Sequence, residues 1–148
     1  MANFKKIICA IDLNDKYARS VADYACTIAK AFNCDVIVLY VMPSLNALLS
    51  GVPVEMNSLE NMSANMREVA EANMRPFVAE NFKGIKAIGK IAKGEAAVEI
   101  MEMAKEEKAD LIIMGTRGYK GVMRTIFGSV AEKVIKNAHV PVMTISPE

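Results

Sequence analysis

The chain has 148 residues, with 18 Lys and Arg against 17 Asp and Glu, so its net charge is +1. That length suits one domain over 1–148 with a full core, and the near balance of charge excludes the broad attraction on which nucleic-acid binders rely. No stretch approaches the roughly 18 apolar residues of a membrane span, and the early apolar run is too short for a signal sequence; a cytoplasmic protein is expected.

From Phe4 to Asp12 the segment KKIICAID is a nearly unbroken apolar run, the pattern of a central parallel strand covered on both faces. Asp12 stands at its carboxyl end, where ligands of open parallel sheets bind, and Asn14 or Asp15 is placed to cap the next helix. Asp12 itself has two readings, a turn residue or a carboxylate that accepts hydrogen bonds from a ligand. A first helix is predicted over about 15–32. Its apolar residues Ala18, Val21, Ala22, Ala25, Ile28, Ala29 and Phe32 recur at helical spacing. The run VIVLYVM is a second buried strand that stops at Pro43, and its Val41 falls level with Asp12. Cys9, Cys26 and Cys34 have neither metal-site spacing nor an even count, and read as reduced core residues. The single histidine, His139, lies in a predicted helix-to-strand turn with no partner nearby in sequence for a metal or catalytic role.

Between Pro43 and Met56 no periodicity holds, so a long mobile connection is expected, with the reach of a lid. Asn57 and Glu60 are placed to cap a second helix carrying Leu59, Met62, Met66, Val69, Ala70 and Phe77, which Pro76 should kink or end. GIKAIGKIAKG then alternates apolar residues with lysines, the mark of an edge strand. Within it Gly84-x4-Gly89-Lys90 imitates a P-loop, but Ile91 replaces the metal-binding Ser or Thr and the pattern lies inside a strand, so that reading is rejected. The helix that follows, EAAVEIMEMAKEEK, is expected to turn Ala97, Val98, Met101 and Ala104 inward.

The segment from Asp110 to Ala131 carries the most chemistry. Leu111 to Met114 is a short apolar strand that ends at Gly115, and Gly118, Gly121 and Gly128 follow before a last helix opens at Ser129. Glycines after a strand let backbone approach a ligand closely, and a helix start offers free N–H groups to phosphate. Arg117, Lys120 and Arg124 agree in charge with an anion. A second reading needs no ligand, because Ser129 and Glu132 form the S-x-x-E of a capping box. The last helix, Ser129 to Asn137, is expected to bury Val130, Ala131, Val134, Ile135 and Ala138, and Pro141 to begin a closing strand. This βαβαβαβαβ order implies parallel pairing through right-handed crossovers, an α/β sheet whose strand ends converge on one rim.

Gly115-x2-Gly118-x9-Gly128-Ser129 resembles the G-x2-G-x9-G-[ST] signature of the nucleotide-binding branch of the universal stress protein family. The resemblance extends through KKIICAID, VIVLYV, DLIIMG and GSVAEKVIKNAHVPVMTI in the same order. It implies a Rossmann-like open five-stranded parallel sheet of order 3-2-1-4-5, with helices on both faces, and a regulatory protein that binds ATP, with or without Mg²⁺. It further implies that Asp12 and Val41 hold the adenosine part, with Ala10, Ile11, Met114, Lys120, Gly121 and Ala131 also among the nucleotide-binding residues. Gly115, Arg117 and Gly118 would wrap the phosphates, while Gly128, Ser129 and Val130 close the far side. A homodimer through the C-terminal strand is also implied. Two other classes stand beside this reading: a slow ATPase, for which the loop supplies charge but no placed base, and a dimeric interaction module that needs no nucleotide, against which the intact glycine signature counts. No protein target is named by the sequence.

Overall fold

A computed structural model describes residues 3–116 and 128–146, with the side chain of Ala47 left aside. The apolar run of the first strand becomes β1 (Lys6–Ala10), followed by α1 (Ala18–Phe32), β2 (Asp35–Met42), α2 (Leu45–Leu48) and α3 (Met56–Asn81). The second half comprises β3 (Ala87–Lys93), α4 (Ala96–Glu106), β4 (Leu111–Gly115), α5 (Ser129–Asn137) and β5 (Val142–Ile145). The sheet is parallel throughout, in the order β3-β2-β1-β4-β5. Both halves of the chain depart from the middle, so the order reverses between β1 and β4, and strand ends part there to leave a crevice.

Successive side chains of a strand point to opposite faces, which explains why the central strands are apolar without alternation. Ile7 and Cys9 join Val36, Val38 and Ile113 under α1 and α3, whereas Ile8 and Ala10 join Ile37, Leu39, Ile112 and Met114 under α4 and α5. The three cysteines are free thiols and buried. β3 lies at the edge, as its alternating lysines predicted. Gly89 meets α3 so closely that a Cβ built there would lie 2.3 Å from Met74 Cγ.

At the amino end of the sheet the Asp110 carboxylate accepts the N–H groups of Lys5 and Lys6 at 2.8 and 3.0 Å. Glu107 pairs with both Lys6 and Lys90, and these ammonium groups hold its carboxyl below the ordinary value, Lys90 most of all. Lys90 of the false P-loop thus serves an ion pair at the protein surface. No helix among the described residues is long and apolar enough to cross a membrane.

Several local expectations need correction. α1 begins at Ala18, three residues later than predicted, because Asp15 closes a turn on the Tyr17 N–H at 3.0 Å instead of capping the helix, and Asn14 does not cap it either. The 43–56 connection contains the one-turn α2. α3 starts at Met56 with Glu55 as its N-cap residue and no side-chain cap, so the Asn57–Glu60 cap does not form. It also runs through Pro76 to Asn81. The N–H that proline lacks would have served the Ala72 carbonyl; both residues lie on the exposed side, where water can take that bond. On α4 the buried residues are Ala97, Ile100 and Ala104, while Val98 is 43% exposed. Ile135 of α5 likewise faces solvent.

Candidate functional site

A cleft of about 470 Å³ opens at the carboxyl rim, floored by the ends of β1, β2 and β4. Ala10, Ile11 and Asp12 from the end of β1, Val41 from β2, and Met114 and Gly115 from β4 all line it. Asp12 is half-buried, and burial pushes its carboxyl above the ordinary value, against the pull of the Asn14 amide. The bland reading of Asp12 is satisfied too, since its Oδ1 accepts the Asn14 N–H at 2.9 Å and its carbonyl accepts the Asp15 N–H at 3.0 Å. One residue therefore both shapes the turn and presents a carboxylate to the cleft.

Val41 contributes its main chain. Along β2 the even residues turn their amide edges toward β3, as in Val36 N–H to Lys86 O and Gly94 N–H to Met42 O, and the odd ones toward β1, as in Ile11 N–H to Leu39 O. The β1–β2 ladder closes at Ala10 and Leu39. Val41, the next odd residue, thus aims its N–H and C=O into the space where β1 has turned away.

Three helix starts converge on the same rim: Ala18 of α1, Ala96 of α4, and Val130 and Ala131 of α5 all line the cleft. Each start brings N–H groups without intrahelical partners and the positive end of a helix dipole. α5 is fixed there by the Gly128 N–H, which donates to the Thr116 carbonyl at 2.7 Å. Gly128 is the N-cap residue and Ser129 the first helical residue, with no side-chain cap bond. The capping box expected of Ser129 and Glu132 is therefore not formed; Glu132 pairs with Lys136 instead. Gly94, between β3 and α4, adopts φ +144°, a region that side chains rarely enter, and lines the cleft beside Ala96.

The profile of the Universal stress protein family matches residues 3–146, nearly the entire chain. This chain belongs to the universal stress protein family. Universal stress protein MJ0531 of Methanocaldococcus jannaschii is 38% identical over 144 residues, covering 96% of this chain and 82% of its own length. Among solved structures, protein MJ0577 superposes with a TM-score of 0.85 over 99% of both chains at 24% identity, and so shares the fold. The universal stress protein of Archaeoglobus fulgidus, solved in complex with dAMP, gives a TM-score of 0.65 at 23% identity, over 98% of this chain and 99% of its own.

Set against this universal stress protein fold, Ala10, Ile11, Asp12, Val41, Met114, Gly115, Val130 and Ala131 meet at one cleft. Gly128 and Ser129 stand at the α5 start beside it. Arg117, Gly118, Lys120, Gly121 and Arg124 lie outside the described residues. Sequence reasoning missed further lining residues: Asn14, whose Nδ2 donates to the Tyr40 hydroxyl at 3.3 Å, together with Leu48, Met66 and Ile100. Of Leu48, Met66 and Ile100 only the apolar character was readable, which serves a core as well as a cleft, and Asn14 read only as a helix cap. Among the described residues no three His, Cys, Asp or Glu side chains gather as a metal site.

Proposed function

We propose that this universal stress protein binds ATP across the carboxyl rim and acts in the cytoplasm as a regulatory nucleotide-binding protein. The observation that carries the reading is the placement of a carboxylate, a turned-out backbone amide and the α5 start around one cleft. Asp12 and the Val41 main chain take the adenosine part in this reading. The glycine-rich segment with Gly115, Arg117, Gly118, Lys120 and Gly121, and the N–H groups of Ser129, Val130 and Ala131, take the phosphates. The dAMP complex of the Archaeoglobus fulgidus relative supports an adenine nucleotide as the ligand class.

Mg²⁺ binds through one or two carboxylates plus substrate phosphates. Among the described residues only Asp12 and Asp15 offer carboxylates to the cleft, and neither belongs to the α5 side where phosphate is proposed, so such an ion would be held by the phosphates themselves and by water. The same two belong to the adenosine half of the site, and this favours retention of the nucleotide over its turnover.

The test is native mass spectrometry of the purified protein followed by thermal denaturation with ATP. A ligand at a hundred times its Kd stabilises the native state by about 2.7 kcal/mol, so the melting temperature should rise. Gly118→Val, chosen from the glycine signature, should remove that rise by filling the space that phosphate needs. A variant that responds to ATP as the parent does rules the glycine segment out of the site.

A further inference from the structure

The cleft has a wall that the nucleotide signature does not explain. Its outer side, next to the end of β2, is formed by Pro43, Leu48 of α2 and Met66 of α3, with Tyr40 behind them. All are apolar or aromatic. Tyr40 and Met66 pack on the α1 and α3 side of the sheet, and α2 rests against α3, away from the α5 start where phosphate is proposed.

We infer that α2 is a movable wall of this cleft, in which Leu48, backed by Met66, closes on the nucleobase end of the ligand and sets how long it stays. The inference rests on the nucleotide reading above. Leu48 is 59% exposed although it lines the cleft, so a filled cleft would cover apolar surface that the empty one leaves in water. The flat faces of a base match such a wall and a triphosphate does not.

The attachment of α2 leaves it able to move. It is anchored by Leu45, which is 8% exposed, and rests against α3, while its backbone bonds among the described residues are local: Leu48 N–H to Ser44 O, Leu49 N–H to Leu45 O and Val52 N–H to Leu49 O. Pro43 precedes it, and Gly51, at φ +86° with open space around it, follows. A segment with one buried anchor among its described side chains and few long-range bonds opens at low cost.

The experiment follows ATP release by stopped flow after a chase with excess nucleotide, and the affinity for inorganic tripolyphosphate by competition. Leu48→Ala should release ATP about tenfold faster, with tripolyphosphate affinity unchanged, because only the base loses its cover. Leu48→Trp, which enlarges the cover, should slow release. Val69→Ala, an exposed change on α3 outside the cleft, should leave both quantities at parent values. ATP leaving Leu48→Ala at the parent rate overturns the wall, and so does an equal loss for tripolyphosphate, which would mean general loosening of the site. A parent protein that binds no ATP overturns the nucleotide reading and this inference together. Binding by the parent with no effect of Leu48 overturns this inference alone.

Discussion

Asp12 carries a sign that distinguishes ligand binding from folding. Burial raises its carboxyl above the ordinary value, so over the interval between its unfolded and folded values the folded chain holds the proton more tightly. Stability of the free protein from this group is therefore greatest below the unfolded value and falls as pH rises through the folded one. Ligand binding runs the other way, because an ionised carboxylate accepts hydrogen bonds from sugar hydroxyls on both oxygens and more strongly than the neutral acid does. Affinity for ATP should drop as pH falls through the raised value, beginning at higher pH than for an ordinary carboxylate, and Asp12→Asn should flatten that dependence in titration calorimetry. At neutral pH Asp12→Ala should cost about 1.5 to 3 kcal/mol of ATP binding while leaving tripolyphosphate affinity unaltered. An unchanged preference between the two would remove Asp12 from the adenosine half of the site.

At the scale of elements, the sequence was most legible where pattern and burial coincide. The unbroken apolar runs of β1, β2 and β4 announced strands covered on both faces, and the alternation in β3 announced an edge. α4 was misread in detail because Ala97, Val98, Ile100, Met101, Met103 and Ala104 surround much of its circumference, so hydrophobicity alone does not choose between Val98 and Ile100. α2 is a single turn, too short to register as a period, and Pro76 is tolerated in α3 because the Ala72 carbonyl it leaves without an N–H lies on the exposed side. The site divided in the same way. Its floor lies where strands end and could be placed from the chain, but its Tyr40, Leu48 and Met66 wall arises from packing between distant segments and leaves no local mark. Gly89 shows the same dependence on a distant partner, since its role appears only once Met74 is seen against it. Gly89→Ala should destabilise by about 1 to 3 kcal/mol through overpacking. Met74→Ala opens a cavity of its own, so combining the two should cost less than the sum, and a double-mutant cycle from denaturant unfolding measures that coupling. Strict additivity would show that the close approach of Gly89 and Met74 carries no strain.

For the molecule as a whole, the exposed edge of β5 is the feature with the largest consequence. β5 pairs only with β4 among the described strands, and the ladder uses Pro141 and Ile145, whose carbonyls accept the N–H groups of Ile112 and Thr116 at 3.0 and 2.9 Å. By the alternation of a strand, the amide edges of Val142 and Thr144 point away from the sheet, and no other described strand pairs with them. We propose that two copies pair these edges about a two-fold axis, burying apolar side chains as well as satisfying backbone. Charged residues at Val142 and Met143 would be a poor test, because the two side chains pack against the cores on opposite faces and their loss would weaken the fold itself. Thr144→Pro removes one outward N–H and leaves the bonds to β4 in place. Sedimentation at micromolar concentration should find the parent dimeric and Thr144→Pro monomeric, with circular dichroism unchanged. A parent that sediments as a monomer, or a folded variant that remains a dimer, excludes β5 as the interface.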